Sequence, residues 1–402
     1  MKGFAPFGLP LGLSIAFWTV IGRLRTISEF FGKLLDKRAP RLTQRLTTHD
    51  VAVILPAHNE ELVIRQSIQA LKRLVDKKQI YVVSDGSTDQ TYNRARKERC
   101  HVSYLNPGLG KAKALVYLLK KFNLLEKYKL IFIVDADTRI DKQFLVRALP
   151  FFSDPEISVV FGTARINWPK HIIPSLKLYF IAYRERLNRL LQFYLIYGQT
   201  WKYTNVNFVI PGFATIYRSQ ILSKLEIDTP GLLIEDFNLA FQLHKKGLGK
   251  IGYHPSLVGY DQHPDNLRDY WNQVRRWNIG FFQTVRKNGV WPSFFWVSLG
   301  LFTVEVTLNS IFTLFLPFLF LYLISPLLIT VHPIFLSYAE IFQNLGPYAD
   351  LTIKDLVIAT FVFDYATSVM VGLIYKKPQF IIYGLFFFFM HYITSLILLS
   401  SI

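Results

Sequence analysis

The sequence predicts an α/β domain built on a parallel β-sheet and held between membrane-spanning helices. Short apolar runs alternate with helical patterns through the middle of the chain, and long apolar segments occupy both ends. Of 402 residues, 51% are hydrophobic and 18% are charged. This composition is too apolar for an ordinary soluble protein and too charged in its middle for a bundle of membrane helices alone.

The middle of the chain carries the strand and helix patterns. Val51–Leu55, Ile80–Val83 and Leu130–Val134 are short, β-branched or aromatic runs, which is typical of strands buried on both faces of a parallel sheet. Glu61–Leu74 and Lys111–Phe122 have helical spacing of apolar residues between them. The order strand, helix, strand, helix therefore predicts parallel pairing in a three-layer α/β domain.

Two carboxylates follow the third predicted strand in the stretch IFIVDADTR, residues 131–139. If the chain stays extended, Asp135 and Asp137 point to the same side at the carboxyl edge of the sheet, where open α/β folds bind ligands. Two oxygen ligands facing one way suit Mg²⁺ or Mn²⁺ held together with phosphate oxygens. On this segment alone, a turn or a helix cap explains the pair equally well.

The amino-terminal end predicts a membrane anchor. Residues 1–22 contain an uncharged stretch from Phe4 to Gly22 that is about long enough to span a bilayer, and we expect a retained anchor rather than a cleaved signal peptide. Residues 23–49 form a basic juxtamembrane segment, which places the following domain, residues 50–291, in the cytoplasm. The single cysteine, Cys100, excludes an internal disulfide and agrees with a reducing compartment.

The carboxyl-terminal end, residues 292–402, predicts an interface helix followed by about three membrane spans. The placement depends on charge, because Lys376-Lys377 should lie inside while the loop 332–350, which has no lysine or arginine, should lie outside. This requires an odd number of crossings between the domain and that loop. The predicted elements are an interface helix near Ser293–Val306 and spans near Ile311–Ile329, Leu356–Ile374 and Phe380–Leu399.

The formal net charge of +18 limits the class of partner. The basic residues are concentrated near the anchor and through the middle domain, without a recognisable nucleic-acid-binding module. A multi-pass inner-membrane protein that faces anionic lipid and anionic substrates explains the charge more simply. We therefore expect a lipid bilayer and phosphate-bearing ligands as partners, and no nucleic acid.

Two motifs in the first half of the domain suit a nucleotide diphosphate. Asp85 ends a predicted strand and is followed by Gly86-Ser87, so its carboxylate could accept hydrogen bonds from a base or ribose, although Asp-Gly-Ser is also an ordinary turn. Lys111 follows a glycine-rich loop at a helix start, where backbone N–H groups and the ammonium make an anion site. A plain capped helix is the alternative for this second motif.

The second half of the domain adds three signals. Pro211-Gly212 interrupts an apolar run and permits close approach of a ligand to the backbone. Glu235-Asp236 precedes a helix and is either a helix cap or a general base. The stretch NQVRRWNIGFF, residues 272–282, supplies Arg276 for a leaving diphosphate and Trp277 for stacking on a sugar, with a membrane-surface amphipathic helix as the alternative.

Together these motifs resemble the membrane-embedded family 2 glycosyltransferases, which include synthases of hyaluronan, cellulose, chitin oligosaccharide and poly-N-acetylglucosamine. The resemblance rests on Asp85-Gly86-Ser87, Asp135-Ala136-Asp137, Glu235-Asp236 and Gln273 to Trp277, in this order, and covers the chain from about Val51 onward. It implies a GT-A (Rossmann-like) domain with amphipathic interface helices, one of them near residues 171–197, and transmembrane helices.

The resemblance also implies a role for each site residue. Asp236 is the catalytic base, with Glu235 as the next candidate, and Asp135 and Asp137 hold Mg²⁺ or Mn²⁺. Gly212 and Trp277 lie against the acceptor. The predicted contacts with the nucleotide-sugar donor are Glu60, Asp85, Lys111, Asp135, Gln273 and Arg276. His58 and Ile234 depart from the family pattern, since aromatic and threonine residues are common at these two positions.

The sequence therefore predicts an inverting glycosyltransferase that moves a sugar from a UDP-sugar, UDP-glucose or UDP-N-acetylglucosamine, to a growing glycan and helps to export it. A single transfer to a lipid or polyprenyl-phosphate acceptor is the close alternative. A transporter without catalysis is a second class, supported by the apolar tail and by Glu305 within it. A nucleotidyltransferase is a third, which release of UDP rather than pyrophosphate would exclude.

Overall fold

The structure is a computed structural model that describes residues 46–166, 168, 175–190, 204–344 and 352–402. The predicted anchor, residues 1–22, and all but the last few residues of the basic segment lie outside the described residues. The predicted interface helix near residues 171–197 is described only in its central part.

One eight-stranded mixed sheet forms the centre of the domain, with strand order β3-β2-β1-β4-β7-β6-β8-β5. β1 pairs in parallel with both β2 and β4, whereas β7 runs antiparallel to β4 and to β6. The three predicted strands and their parallel pairing are confirmed. The strands are β1 (Val51–Ala57), β2 (Ile80–Asp85), β3 (His101–Leu105), β4 (Leu130–Val134), β5 (Arg139–Ile140), β6 (Ile157–Arg165), β7 (Ala214–Arg218) and β8 (Lys250–Tyr260).

Apolar side chains cover both faces of the sheet. Val53 and Phe132 point into one cluster, and their neighbours Ile54 and Ile133 point into the other, as the alternation along a strand requires. Fully burying such a side chain contributes about 1.5–3 kcal/mol relative to exposing it. Because both faces are buried, the central strands end where their sequences become polar, and the polar residues collect at the edge of the sheet.

Helices of the domain cover the two faces of this sheet. The two predicted helices are confirmed, although the first is shorter than predicted at both ends. The helices are α1 (Ile64–Leu71), α2 (Thr91–Lys97), α3 (Lys111–Lys121), α4 (Leu124–Lys127), α5 (Phe144–Ala148), α6 (Leu176–Leu190), α7 (Ser219–Leu222), α8 (Glu235–Lys245) and α9 (Leu267–Asn288), and short 3₁₀ turns occur at Thr48–Asp50, Lys77–Gln79 and Leu149–Ser153.

The carboxyl-terminal helices pack against α6 and α9. Tyr183 of α6 and Tyr270 of α9 share a buried cluster with Phe387 and Met390. Arg186 of α6, 2% exposed, donates to Asp364 Oδ1 at 2.7 Å and thereby ties α6 to this end of the chain. The helices are α10 (Phe294–Leu328), α11 (Ile334–Asn344), α12 (Ile353–Val357), α13 (Phe363–Ile374), α14 (Pro378–Gly384) and α15 (Phe387–Leu399), with a π-helical turn at Ile358–Val362 between α12 and α13.

The helix α10 corrects one prediction. It runs unbroken from Phe294 to Leu328, so the predicted interface helix and the predicted span after it form one continuous helix. The residues between the two predicted elements, Thr307 to Ser310, include no glycine or proline to end a helix. Another difference is that the apolar segment near Phe380–Leu399 is two helices, α14 and α15, bent by 71°.

The described part of the chain contains one helix that is long and apolar enough to cross a membrane, α10, with a mean hydropathy of 2.3. The bent pair α14 and α15 meets the same criterion only if it is counted as one span. The number of membrane spans and the boundaries of the predicted domains stay predictions.

Candidate active site

Asp85 organises the first part of the site from the end of β2. Its carboxylate accepts hydrogen bonds from the backbone N–H groups of Leu109 at 2.6 Å and Gly110 at 2.8 Å. The backbone N–H groups of the loop before α3 thus bind the carboxylate of Asp85. The predicted contact of Asp85 with a nucleotide stays a prediction. Gly86 has φ +64°, and a Cβ added to it would lie 2.8 Å from the Gly108 backbone, so the two loops touch.

The loop after β1 is tied to the same place. His58 donates from Nδ1 to the carbonyl oxygen of Asp85 at 2.6 Å, and the backbone N–H of Asn59 donates to Ser87 Oγ at 3.2 Å. The backbone N–H of Glu60 donates to Thr91 Oγ1 at 2.7 Å. These bonds fix the loops after β1 and β2 to each other, so the structure brings Glu60 and Asp85 to one edge of the sheet.

Lys111, the first residue of α3, joins the two halves of the site. Its Nζ lies 2.9 Å from Asp135 Oδ1 and 2.9 Å from Glu235 Oε1. Burial alone would lower the pKa of Lys111, but the charges of Asp135 and Glu235 outweigh burial and raise it well above its ordinary value. Burial acts to raise the pKa of Glu235, and the nearby ammonium reverses this and lowers it. Lys111 is therefore charged and holds residues from three elements together.

Asp236 lies at the start of α8, directly beside Gly212. One of its carboxylate oxygens, Oδ2, accepts a hydrogen bond from the Gly212 N–H at 3.0 Å. A Cβ added to Gly212 would lie 2.6 Å from Asp236 Oδ1 and 2.8 Å from Lys111 Nζ, so any larger residue would displace these side chains. Burial of its carboxyl group and the negative charge of Glu235 raise the pKa of Asp236 to about 7. A carboxyl group with this pKa suits a general base near neutral pH.

The Asp135-Ala136-Asp137 segment departs from the predicted geometry. β4 ends at Val134, and the chain then turns, because the N–H of Thr138 donates to the carbonyl oxygen of Asp135 at 3.0 Å. The chain is therefore not extended here, and the turn that was the alternative for this segment is the conformation present. The two carboxylates are still close enough that burial and the charge of Asp135 raise the pKa of Asp137 to about 6.

Two further carboxyl groups face this turn. Burial and the charges of Asp137 and Asp135 raise the pKa of Glu60 to about 7 and that of Asp261, directly after β8, to about 8. Sequence analysis missed Asp261, since the only signal was an acid directly after a strand, and the turn Asp261-Gln262-His263 matched no motif.

Asp135 and Asp137 are the predicted ligands of a divalent cation. Among the described residues, no three histidine, cysteine or acidic side chains already surround one point. Asp135 and Asp137 thus offer a partial set of oxygen ligands. Mg²⁺ and Mn²⁺ sites of nucleotide enzymes are commonly of this kind, with one or two carboxylates from the protein and the remaining ligands from substrate phosphates and water. The residues fit a cation bound together with a diphosphate.

The helix α9 carries the last predicted residues. The side-chain oxygen of Gln273 is buried and has no hydrogen-bond partner in the described part of the chain, which is costly unless a ligand supplies a donor. Arg276 is exposed, yet its charge helps to lower the pKa of Glu235. The guanidinium of Arg184, on α6, lies 4.4 Å from the ring centroid of Trp277 and covers one face of the indole.

Comparison with known proteins identifies the family of this domain. Residues 52–224 match the model of the family described as glycosyl transferase family 2. The chain contains a family 2 glycosyltransferase domain. The matched residues include Asp85, Lys111, Asp135, Asp137 and Gly212, and the prediction of this family is confirmed.

Two curated relatives extend the family 2 match beyond the domain model. A probable glycosyltransferase of Bacillus subtilis, YdaM, is 27% identical over 272 residues, 61% of each chain. The poly-β-1,6-N-acetyl-D-glucosamine synthase of Staphylococcus aureus is 24% identical over 250 residues, 59% of this chain and 57% of the relative. The match thus spans about three fifths of the length of these relatives.

A solved structure supports the fold of the family 2 domain. The mannosyltransferase PcManGT from Pyrobaculum calidifontis, determined in complex with GDP-Man and Mn²⁺, has a TM-score of 0.50 and 15% sequence identity, over 96% of this chain and 97% of that one. The predicted GT-A fold of the α/β domain is confirmed.

Proposed function

We propose that the protein is an inverting glycosyltransferase that moves a sugar from a nucleotide-sugar, expected to be UDP-glucose or UDP-N-acetylglucosamine, to a growing glycan at the membrane. The observation that carries this proposal is the convergence on Lys111, whose ammonium binds both Asp135 and Glu235 beside Asp236. The carboxylate of Asp135, the ammonium of Lys111 and the proposed base Asp236, whose pKa is raised, thus lie together at one edge of the sheet.

The chemistry follows from these positions. Asp236 accepts the proton of an acceptor hydroxyl, whose oxygen attacks the anomeric carbon while the bond from that carbon to the diphosphate oxygen breaks. The pair of electrons leaves with UDP, and we assign stabilisation of its negative charge to Lys111 and Arg276. A divalent cation on Asp135 and Asp137, when bound, neutralises further diphosphate charge. Gln273, with its unpaired buried oxygen, accepts a hydrogen bond from the donor or acceptor.

Building of a chain, rather than a single transfer to a lipid or polyprenyl-phosphate acceptor, is the leading form of this proposal. The Staphylococcus aureus relative is named as the synthase of a polymer, which supports this choice. The test is the mass of the product against time with purified protein and excess donor. Products of increasing length support chain building, and one product that carries a single added sugar at any donor excess contradicts it.

Removing divalent cations should abolish transfer. Because Asp135 and Asp137 offer only part of a ligand set, we expect EDTA to stop UDP release and Mn²⁺ or Mg²⁺ to restore it. Titration of Mn²⁺ in the presence and absence of UDP, followed by electron paramagnetic resonance, should show tighter binding with UDP. Full activity of Asp137→Ala in the absence of metal would contradict the assignment of Asp137 as a ligand of a divalent cation.

Replacement of Trp277 should impair chain extension, whereas replacement of Arg276 should impair release of UDP. We expect Trp277→Ala to leave donor affinity nearly unchanged and to cripple extension, because the indole contacts the acceptor and not the diphosphate. Arg276→Ala should slow UDP release even when water is the acceptor, because the leaving charge is less stabilised. UDP release and product length are measured in parallel on each variant. Identical defects in both readouts for both variants would contradict the separate roles.

A further inference from the structure

A cavity of about 340 Å³ lies beside the Asp135–Thr138 turn, and of the residues used in the reaction proposed above only Asp137 lines it. Its volume falls at the lower end of the range of about 300–1,000 Å³ that is typical of small-molecule sites. Asp137, Asp261 and Gln262 supply a polar wall, and Val63 and Ile181 supply an apolar one. The cavity therefore has the mixed lining of a binding site.

The cavity is distinct from the part of the site that faces the diphosphate. Its lining includes none of Asp85, Lys111, Asp135 and Asp236. Asp137, the second predicted cation ligand, borders both, since it lines the cavity and lies close enough to Asp135 to interact with its charge. A molecule in this cavity would thus lie next to the donor without occupying its place.

The wall of the cavity continues towards Trp277. Ile181 and Arg184 are three residues apart on α6 and therefore lie on one face of that helix. Ile181 lines the cavity, and the guanidinium of Arg184 lies over the ring of Trp277. Asp261 also lines the cavity, and its carboxyl group lies near enough to Arg184 to interact with that positive charge. One surface therefore connects the cavity with the predicted acceptor residue.

The chemistry of the lining indicates a neutral ligand rich in hydroxyl groups. Carboxylates and a side-chain amide accept hydrogen bonds from hydroxyls, and aliphatic side chains pack against the C–H groups of a sugar ring. An anionic group is disfavoured, because Arg139 is the one arginine or lysine in the lining, and Asp137 and Asp265 also border the cavity. The guanidinium of Arg139 lies 5.3 Å from the ring centroid of Tyr260.

We propose that this cavity is an acceptor subsite that holds a saccharide unit next to the unit that reacts. The proposal rests on the proposed function and deepens it, because a transferase that extends a chain must bind more than the terminal sugar. Binding of a second unit is expected to lower the KM for longer acceptors without changing the affinity for UDP. A one-unit acceptor gains nothing from the subsite.

The test fills the cavity from two different helices. Gln66→Trp extends from an exposed position on α1 into the mouth of the cavity, and Ile181→Trp fills the space from α6. Each has a matched control that adds the same side chain outside the cavity. Leu62→Trp alters a residue that is 77% exposed just before α1, and Leu176→Trp alters one that is 71% exposed at the start of α6. Two independent variants guard against a folding defect in either one.

The measurement uses the UDP-sugar that the wild-type protein hydrolyses, with oligomers of one to five units of that same sugar as acceptors. We expect both cavity variants to raise the KM for oligomers of two or more units about tenfold or more, and to leave UDP binding by calorimetry within twofold of wild type. The controls should match wild type throughout.

Two outcomes would overturn the subsite. One is a wild-type KM for acceptors of two or more units that is no lower than the KM for the single sugar. The other is KM values for the longer acceptors that are unchanged in both cavity variants. Failure of the proposed function is separate, since it would appear as a wild-type protein that releases no nucleotide from any sugar donor.

Discussion

Replacing Asp236 by asparagine should lower turnover by about 100-fold or more, the scale expected for loss of a general base. The amide oxygen of asparagine can still accept the hydrogen bond from the Gly212 N–H, which is 3.0 Å long in the structure, so the local geometry is kept. Donor binding should stay within a few-fold of wild type. The measurement is turnover at saturating donor together with UDP affinity by calorimetry.

The pH dependence distinguishes a base from a helix cap. Because the pKa of Asp236 is raised to about 7 and the base must be ionised, wild-type activity should rise with pH through about 7 and then level off. Asp236→Asn should lose this rise. Asp154→Asn, an equivalent change at an exposed turn at the opposite edge of the sheet, serves as the control. Surviving turnover in Asp236→Asn would move the base elsewhere, with Glu235 as the next candidate.

Replacing Gly212 by alanine should lower transfer by about 100-fold, although one methyl group is all that is added. The new Cβ would lie 2.6 Å from Asp236 Oδ1 and 2.8 Å from Lys111 Nζ, so both side chains must move. A displacement of about 1 Å at reacting groups is enough for a loss of this size. Steady-state turnover with the preferred donor is the measurement.

A glycine elsewhere in the chain provides the matched control for this change. Gly300 has no heavy atom within 4 Å of an added Cβ, so Gly300→Ala should keep wild-type turnover. Thermal unfolding of both variants shows whether any loss is local. Gly212→Ala with turnover within twofold of wild type would show that the close approach of Asp236, Lys111 and the backbone has no functional role.

The sequence predicted the sheet and its polar edge because the relevant signals are local. Val51–Leu55 and Leu130–Val134 are too apolar to lie anywhere but inside, and Asp135 follows directly. The turn at Asp135–Thr138 was only one of the alternatives, because an Asp-x-Asp segment is equally compatible with an extended chain. The unbroken helix α10 was missed because the division was argued from the charges of the flanking loops rather than from helix-ending residues.

Contacts between distant segments could not be predicted from one sequence. The ion pairs of Lys111 with Asp135 and Glu235 join residues up to 124 positions apart, and no pattern within either segment encodes them. The same holds for Arg184 over Trp277 and for Asp261 beside the aspartates of the turn. Motif order implied a shared site, but only the folded chain shows which side chains meet in it.

The most direct test of the central claim is nucleotide release by the purified full-length protein in nanodiscs, supplied in turn with UDP- and GDP-sugars in the presence of Mn²⁺. The account predicts release of UDP from one UDP-sugar, dependent on the cation and reduced at least 100-fold in Asp236→Asn. Release of pyrophosphate, or no nucleotide release from any sugar donor by a folded protein, would contradict it.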